Sequence, residues 1–178
     1  GCIPTKAMLR SAEVLQTVRD AAEYGISADN VGFDYAAVRR RMTEVVTGLT
    51  DGVAGLLKAN GVTVIEGHAR FTGPTTVEIC DVPAGDGPRY AATPAEAVDR
   101  ATARDVIIAT GSTPIPLPIP GADLPGVITS DGAFGLTEVP GRIVIVGGSA
   151  VGAEWASLFA AFDSAVTVVE MRDTLVPA

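Results

Sequence analysis

The sequence predicts an α/β fold built from a helical pair, a β-meander and a βαβ unit that turns on a run of glycines. Three observations point there. Apolar residues recur at spacings of three and four through residues 5–24 and 35–59. Short alternating or continuous apolar runs, punctuated by Gly and Pro, fill residues 62–109. Residues 141–170 then place two Val/Ile-rich runs on either side of a helical pattern. At 178 residues and 47% apolar, the chain has the material for one domain or two small ones, and composition excludes disorder.

The elements follow in order. Met8, Ala12, Leu15, Val18 and Ala22 make one stripe of a helix over residues 5–24, with Pro4 suited to its first turn and Gly25 to its end. Val38, Met42, Val45, Leu49, Val53 and Leu56 make the stripe of a second helix over 35–59, with Asp34 as N-cap and Asn60-Gly61 as stop. Gly48, Gly52 and Gly55 cost that helix roughly 1 kcal/mol each against Ala, which predicts close packing on another element. Alternation predicts strands at 62–66, 76–80 and 89–93, with turns at Gly73-Pro74 and at 85–88. The continuous run 106–109 predicts a strand buried on both faces. Five prolines in 112–126 mark the best place for a domain crossing, and a short helix is expected near 131–136. A strand at 142–146, a helix and a strand at 165–170 complete the chain.

Charge narrows the partners. Lys+Arg number 13 and Asp+Glu 21, a balance of −8, and neither nucleic acid nor an anionic membrane suits such a chain. The longest uncharged run, 106–122, is interrupted by Pro114, Pro116, Pro118 and Pro120, which rules it out as a spanning helix. Two cysteines are too few for a disulfide scaffold. The expectation is a soluble chain in a reducing, cytoplasmic setting. The chain starts at Gly1 and ends shortly after an apolar run, so it reads as an internal piece of a longer enzyme.

Residues 141–170 are the most informative. The strand 143–146 runs into Gly147, Gly148, Ser149, Ala150, Val151 and Gly152; a helix carrying Trp155, Leu158 and Phe159 follows, then a strand closed by Glu170. This is the order of a Rossmann-type dinucleotide-binding unit. Free N–H groups and the dipole at the helix start attract a pyrophosphate, and glycine lets the backbone approach it. Glu170 can accept hydrogen bonds from an adenosine ribose and would repel a 2′-phosphate, which favours NAD over NADP. Ser149 stands where the middle glycine of the motif belongs. Its Cβ should crowd the pyrophosphate, while its hydroxyl could donate a compensating hydrogen bond. Asp163 stands where such helices often end in glycine, and Asp tolerates the left-handed conformation at modest cost.

Cys2 precedes a helix start, where partial positive charge and Lys6 favour a thiolate. Two readings stand for it: a reactive thiol, or a small buried hydrophobe. Cys80, inside an alternating strand, reads as core.

The segment Gly1-Cys2-Ile3-Pro4-Thr5-Lys6 resembles the second half of the redox motif GGxCxNxGCxPxK of the flavin-dependent pyridine nucleotide–disulfide oxidoreductases. Further matches lie at 66–71, at 107–112 and from Gly147 to Glu170, so the resemblance covers essentially the whole chain. Within that family, the segments 1–15 and 168–171 are most similar to the dihydrolipoyl (lipoamide) dehydrogenase branch.

The resemblance implies a two-domain fold binding FAD and NAD, with residues 1–120 belonging to the FAD domain and 121–178 opening the NAD domain. It implies that Cys2 is the flavin-proximal redox cysteine, its disulfide partner lying five positions earlier. Lys6 would lie near the flavin and form an ion pair with Glu154 that joins the two domains. By themselves, Lys6 reads as a solvated lysine and Glu154 as a dipole-favouring acid. Ala69 would contact the adenine end of FAD through its backbone, although a small residue in a packed strand reads equally well. Thr110, Gly111 and Ser112 would pass the flavin nucleotide. His68, the sole histidine, is expected to be a half-exposed strand residue rather than a base. The implied reaction oxidises dihydrolipoamide, free or on a lipoyl domain, by thiol–disulfide exchange, with FAD as relay and NAD+ as acceptor. A homodimer is expected of the full protein. Residues 1–178 alone are expected neither to hold flavin nor to turn over. A mercuric reductase (through Ser149), a glutathione-reductase-like enzyme and a non-catalytic NAD-binding module remain as alternatives.

Overall fold

The computed structural model describes residues 1–81, 97–115 and 117–176. They pack as two compact units, Gly1–Gly52 with Pro114–Ala178, and Val53–Thr113. This division follows packing within the chain. The boundary at 120 expected between cofactor domains is a separate property that packing does not decide.

In the first unit, helix α1 spans Cys2–Arg19, with Gly1 as its N-cap. It starts three residues earlier than the sequence pattern suggests, because Pro4 is accommodated inside the first turn, where no N–H partner is needed. It also ends earlier. The chain tightens at Asp20 into a 3-10 turn, Ala21–Tyr24, closed by Gly25 at φ 73°. That tightening takes Val18 and Ala22 off the expected stripe, leaving Met8, Ala12 and Leu15 buried and bringing in Ala21.

Helix α2 spans Tyr35–Ala59. The Ala37 N–H donates to Asp34 Oδ1 (3.1 Å), and Gly61 ends the helix at φ 69°. Only its first half meets a core: Tyr35 and Met42 are buried, with Val38, Val45 and Val46 packed beside them. Leu49, Val53 and Leu56 are more than half exposed, and among the described residues no atom lies within 4 Å of where a Cβ on Gly48, Gly52 or Gly55 would stand. The close packing expected of those glycines is therefore absent.

A short helix, α3 (Ser130–Ala133), is capped by Thr129. Strand β4 (Arg142–Val146), helix α4 (Ala150–Ala161) and strand β5 (Ala165–Val169) form a βαβ unit. β4 and β5 are parallel, from Arg142 beside Ala165 to Val146 beside Val169. The core of this unit joins Met8, Ala12 and Leu15 of α1 to Trp155, Leu158, Phe159 and Phe162. Burying a side chain such as Leu158 contributes about 1.5–3 kcal/mol. Trp155 stacks on Phe159 with centroids 5.4 Å apart, and the Tyr35 ring meets Phe162 edge-on at 5.8 Å.

In the second unit, β1 (His68–Gly73), β2 (Thr76–Cys80) and β3 (Ala97–Thr102) form an antiparallel meander in the order β1-β2-β3. Arg70, Glu78 and Arg100 stand side by side across it, and Glu78 accepts from Arg70 at 2.8 Å and from Arg100 at 2.9 Å. Cys80 is fully buried, as its strand pattern suggests. The expected strands at 62–66 and 106–109 are not strands. Neither has a hydrogen-bonded neighbour among the described residues, and an apolar run without a partner ladder leaves its backbone to water. The expected strand at 89–93 and turn at 85–88 lie outside the described residues. The longest described apolar helix is too short or too polar to cross a membrane.

Candidate functional site

The glycine turn is shaped by what each position has to fit. Gly147 takes φ 109°, closed to residues with a side chain, and its N–H donates to the Val169 carbonyl at 2.9 Å. Ser149 is the N-cap of α4, and its hydroxyl makes no capping hydrogen bond. A Cβ on Gly152 would overlap the Gly147 carbonyl oxygen, so only glycine lets α4 leave the strand this closely. Ala150 and Val151 form the first turn of α4, where backbone N–H groups lack helical partners. The start of α4 thus presents backbone donors, the chemistry a pyrophosphate requires.

Glu170 closes β5 and reaches back to this turn. One carboxylate oxygen accepts from the Gly148 N–H at 2.6 Å; the other accepts from Met171 at 2.8 Å and Arg172 at 2.9 Å. These backbone hydrogen bonds, that from Arg172 foremost, hold its carboxyl below the usual range despite partial desolvation. An ionised acid is therefore fixed beside the glycine turn, where ribose hydroxyls would be accepted and a 2′-phosphate repelled. Leu175 packs on Gly148, and the Val176 N–H donates to the Gly148 carbonyl at 2.7 Å. The residues that fit the adenosine half of a dinucleotide are the backbone donors at the start of α4 and the acid anchored beside the turn, while Leu175 takes the space beside Gly148.

Helix α1 brings the thiol to the same unit. Cys2 stands exposed in the first turn of α1, and both cysteines are free. Lys6, one turn on, donates to Glu154 Oε1. Glu154 is the only charged residue on α4. At the other end, the Arg19 guanidinium pairs with both oxygens of Asp163, at 2.9 and 2.7 Å, and donates to the Ala161 carbonyl at 3.1 Å. The two helices therefore run in the same direction, with Cys2 and the glycine turn toward their shared N-terminal end.

Other candidates belong to the second unit and are described within it. Ala69 lies exposed in β1 opposite Ile79. Gly67 just before it is obligatory, since a Cβ there would strike Ile79. Thr110, Gly111 and Ser112 are exposed and lie outside any helix or strand, with Gly111 at φ 75° in the left-handed region. His68 sits at the start of β1, half-buried, beside Cys80 in register. Among the described residues no cluster of His, Cys, Asp or Glu is arranged to hold a metal. Pattern reading did not single out Arg19, Gly67 or Leu175. Only a non-glycine at Asp163 gave a signal.

Comparison with known proteins places this geometry. The family described as Pyridine nucleotide-disulphide oxidoreductase matches residues 1–178. A dihydrolipoyl dehydrogenase of Bacillus subtilis is 39% identical over 181 residues, covering 99% of this chain and 36% of that protein. One from Vibrio cholerae is 37% identical, covering 100% of this chain and 35% of its own length. Among solved structures, the HOCl-induced flavoprotein disulfide reductase RclA from Escherichia coli superposes with a TM-score of 0.72 at 28% identity, over 99% of this chain and 34% of that one. The chain spans about a third of the length of the relatives it matches.

Proposed function

Because the chain belongs to the pyridine nucleotide-disulphide oxidoreductase family, we propose that it carries the proximal thiol and the nucleotide turn of a flavoenzyme that oxidises dihydrolipoamide with NAD+. The observation that carries this reading is the pairing of α1 with α4, which sets an exposed Cys2 and the glycine turn at one end of two parallel helices.

In the proposed cycle, the dithiol substrate attacks a disulfide between Cys2 and a cysteine five positions upstream. A mixed disulfide forms at the upstream sulfur, Cys2 leaves as thiolate, and closure releases oxidised lipoamide while the protein keeps two electrons as a dithiol. FAD, when bound, relays that electron pair, and NAD+ takes it as hydride to give NADH. The chain's own residues do the placing. Lys6, held by Glu154, would lie near the flavin, and Ala69 and Thr110-Gly111-Ser112 would contribute backbone to holding FAD. Gly147, Gly148, Ser149, Ala150, Val151 and Gly152 line the pyrophosphate, and Glu170 takes the ribose. The reading includes a homodimeric, cytoplasmic protein acting on free lipoamide or on a lipoyl domain.

The test uses the complete protein. Cys2→Ser is expected to abolish lipoamide-dependent NADH formation while flavin and NADH still bind. NADP+ is expected to replace NAD+ poorly, at least a hundredfold down in kcat/KM. Turnover unchanged by Cys2→Ser would refute the proposal.

A further inference from the structure

Asp163 occupies a position that a glycine would fill without cost. Its φ of 66° lies in the left-handed region, where a side chain is disfavoured. What the carboxylate does there is meet Arg19. The guanidinium donates in parallel to both Asp163 oxygens and also to the Ala161 carbonyl, one of the acceptors left open at the end of α4. This tie lies 13 residues along α1 from the contact between Lys6 and Glu154, about 20 Å at 1.5 Å per residue. Between the two ties, Met8, Ala12 and Leu15 share a buried core with Trp155, Leu158 and Phe159, so α1 is already seated on α4. The distal tie adds a directional anchor at the C-terminal end of that packing. The Arg19 side chain is 27% exposed and Asp163 61%, and the two parallel hydrogen bonds fix direction as well as distance. A directional tie made from a left-handed residue, where Asp is tolerated at modest cost, is explained if the tie sets position.

We propose that Arg19 and Asp163 are positioning residues, fixing the thiol-bearing helix α1 on the nucleotide-binding helix α4 so that Cys2 and bound NAD keep their alignment. The inference rests on the reading of Cys2 and the glycine turn given above. It separates two quantities that a plain structural brace would move together. Asp163→Gly relaxes the backbone and breaks the tie; Arg19→Met breaks the tie and leaves the backbone as it is.

In the complete flavoprotein, Asp163→Gly is expected to keep or raise the Tm. The same variant should slow flavin reduction by NADH at least fivefold in stopped flow and leave flavin reduction by dihydrolipoamide within twofold. Arg19→Met should show the same kinetic split, and Arg19→Lys, which keeps one hydrogen bond, should recover part of it. Independently of activity, hydrogen exchange at the last turn of α1 should quicken about tenfold in Asp163→Gly. Wild-type rates of the NADH step in both variants would overturn the proposal, as would a rate loss matched by a loss of Tm in Asp163→Gly. Failure of the underlying reading shows elsewhere, in wild-type protein that binds no NADH or in full turnover by Cys2→Ser, and it would overturn the positioning role as well.

Discussion

Residues 143–146, Ile-Val-Ile-Val, and 106–109, Val-Ile-Ile-Ala, are both four-residue apolar runs. The first lies in β4, paired in parallel with β5 and covered by α4. The second has no hydrogen-bonded neighbour among the described residues, and Ile107 and Ile108 are 91% and 70% exposed. Composition makes a run eligible to be a strand, but a ladder partner makes it one. For β4 that partner is 23 residues away, delivered by the helix that the glycine turn launches. The region that carries the candidate chemistry is thus also the one that completes its own sheet within these residues.

The largest effect that would sharpen this contrast belongs to Gly152. Gly152→Ala puts a Cβ into the Gly147 carbonyl oxygen, and forcing α4 off the strand should cost ~3 kcal/mol in denaturant unfolding. The equivalent insult to the unpaired run, Ile107→Ser, should stay within about 0.5 kcal/mol. A comparable loss from Ile107→Ser would break the comparison, because it would mean that 106–109 is buried in solution. Next comes Leu158→Ala, which empties a fully buried site under β4 and β5 and should cost ~2–3 kcal/mol, against less than ~1 kcal/mol for Ile108→Ala.

Glu170 gives a smaller, pH-dependent effect. Its folded pKa lies below the unfolded value, so its contribution is fully present above about pH 4.3 and is lost as acid drives the pH down through the lowered value. Acid titration followed by the Gly148 amide resonance should show that loss, and Glu170→Gln should abolish the pH dependence at that amide. The smallest expected effect is at Ser149. Its hydroxyl caps nothing, and glycine at an N-cap costs only a few tenths of a kcal/mol. Removing the Cβ by Ser149→Gly should therefore tighten NADH binding about two- to threefold by calorimetry of the complete protein. Weakening beyond tenfold would show that the hydroxyl holds the ligand.

The same contrast explains what was legible beforehand. The order of the βαβ unit was legible because its signals are local: β4 was read as Arg142–Val146, and β5 within one residue, expected over 165–170 and observed as Ala165–Val169. Helix α2 was legible for similar reasons, capped by Asp34 and stopped at Gly61. Strand β3, Ala97–Thr102, was not. It carries Asp99 and Arg100 in place of an alternating apolar face, and Arg100 sits opposite Glu78 in the register. No pattern within six residues encodes a partner 22 positions away. Lys6 with Glu154, and Arg19 with Asp163, lie still farther apart in sequence, and periodicity is blind to such pairs. Resemblance suggested the first, and only the folded chain shows the second.

The exposed connector has one more consequence. Ile115, Leu117 and Ile119 are exposed, and such an apolar segment would ordinarily invite fibril growth by edge addition. Prolines at 114, 116, 118 and 120 alternate with them. Every second residue therefore has no N–H to donate, and an incoming chain finds a ladder missing half its rungs. Alternate prolines thus make this apolar segment a poor template for an added strand.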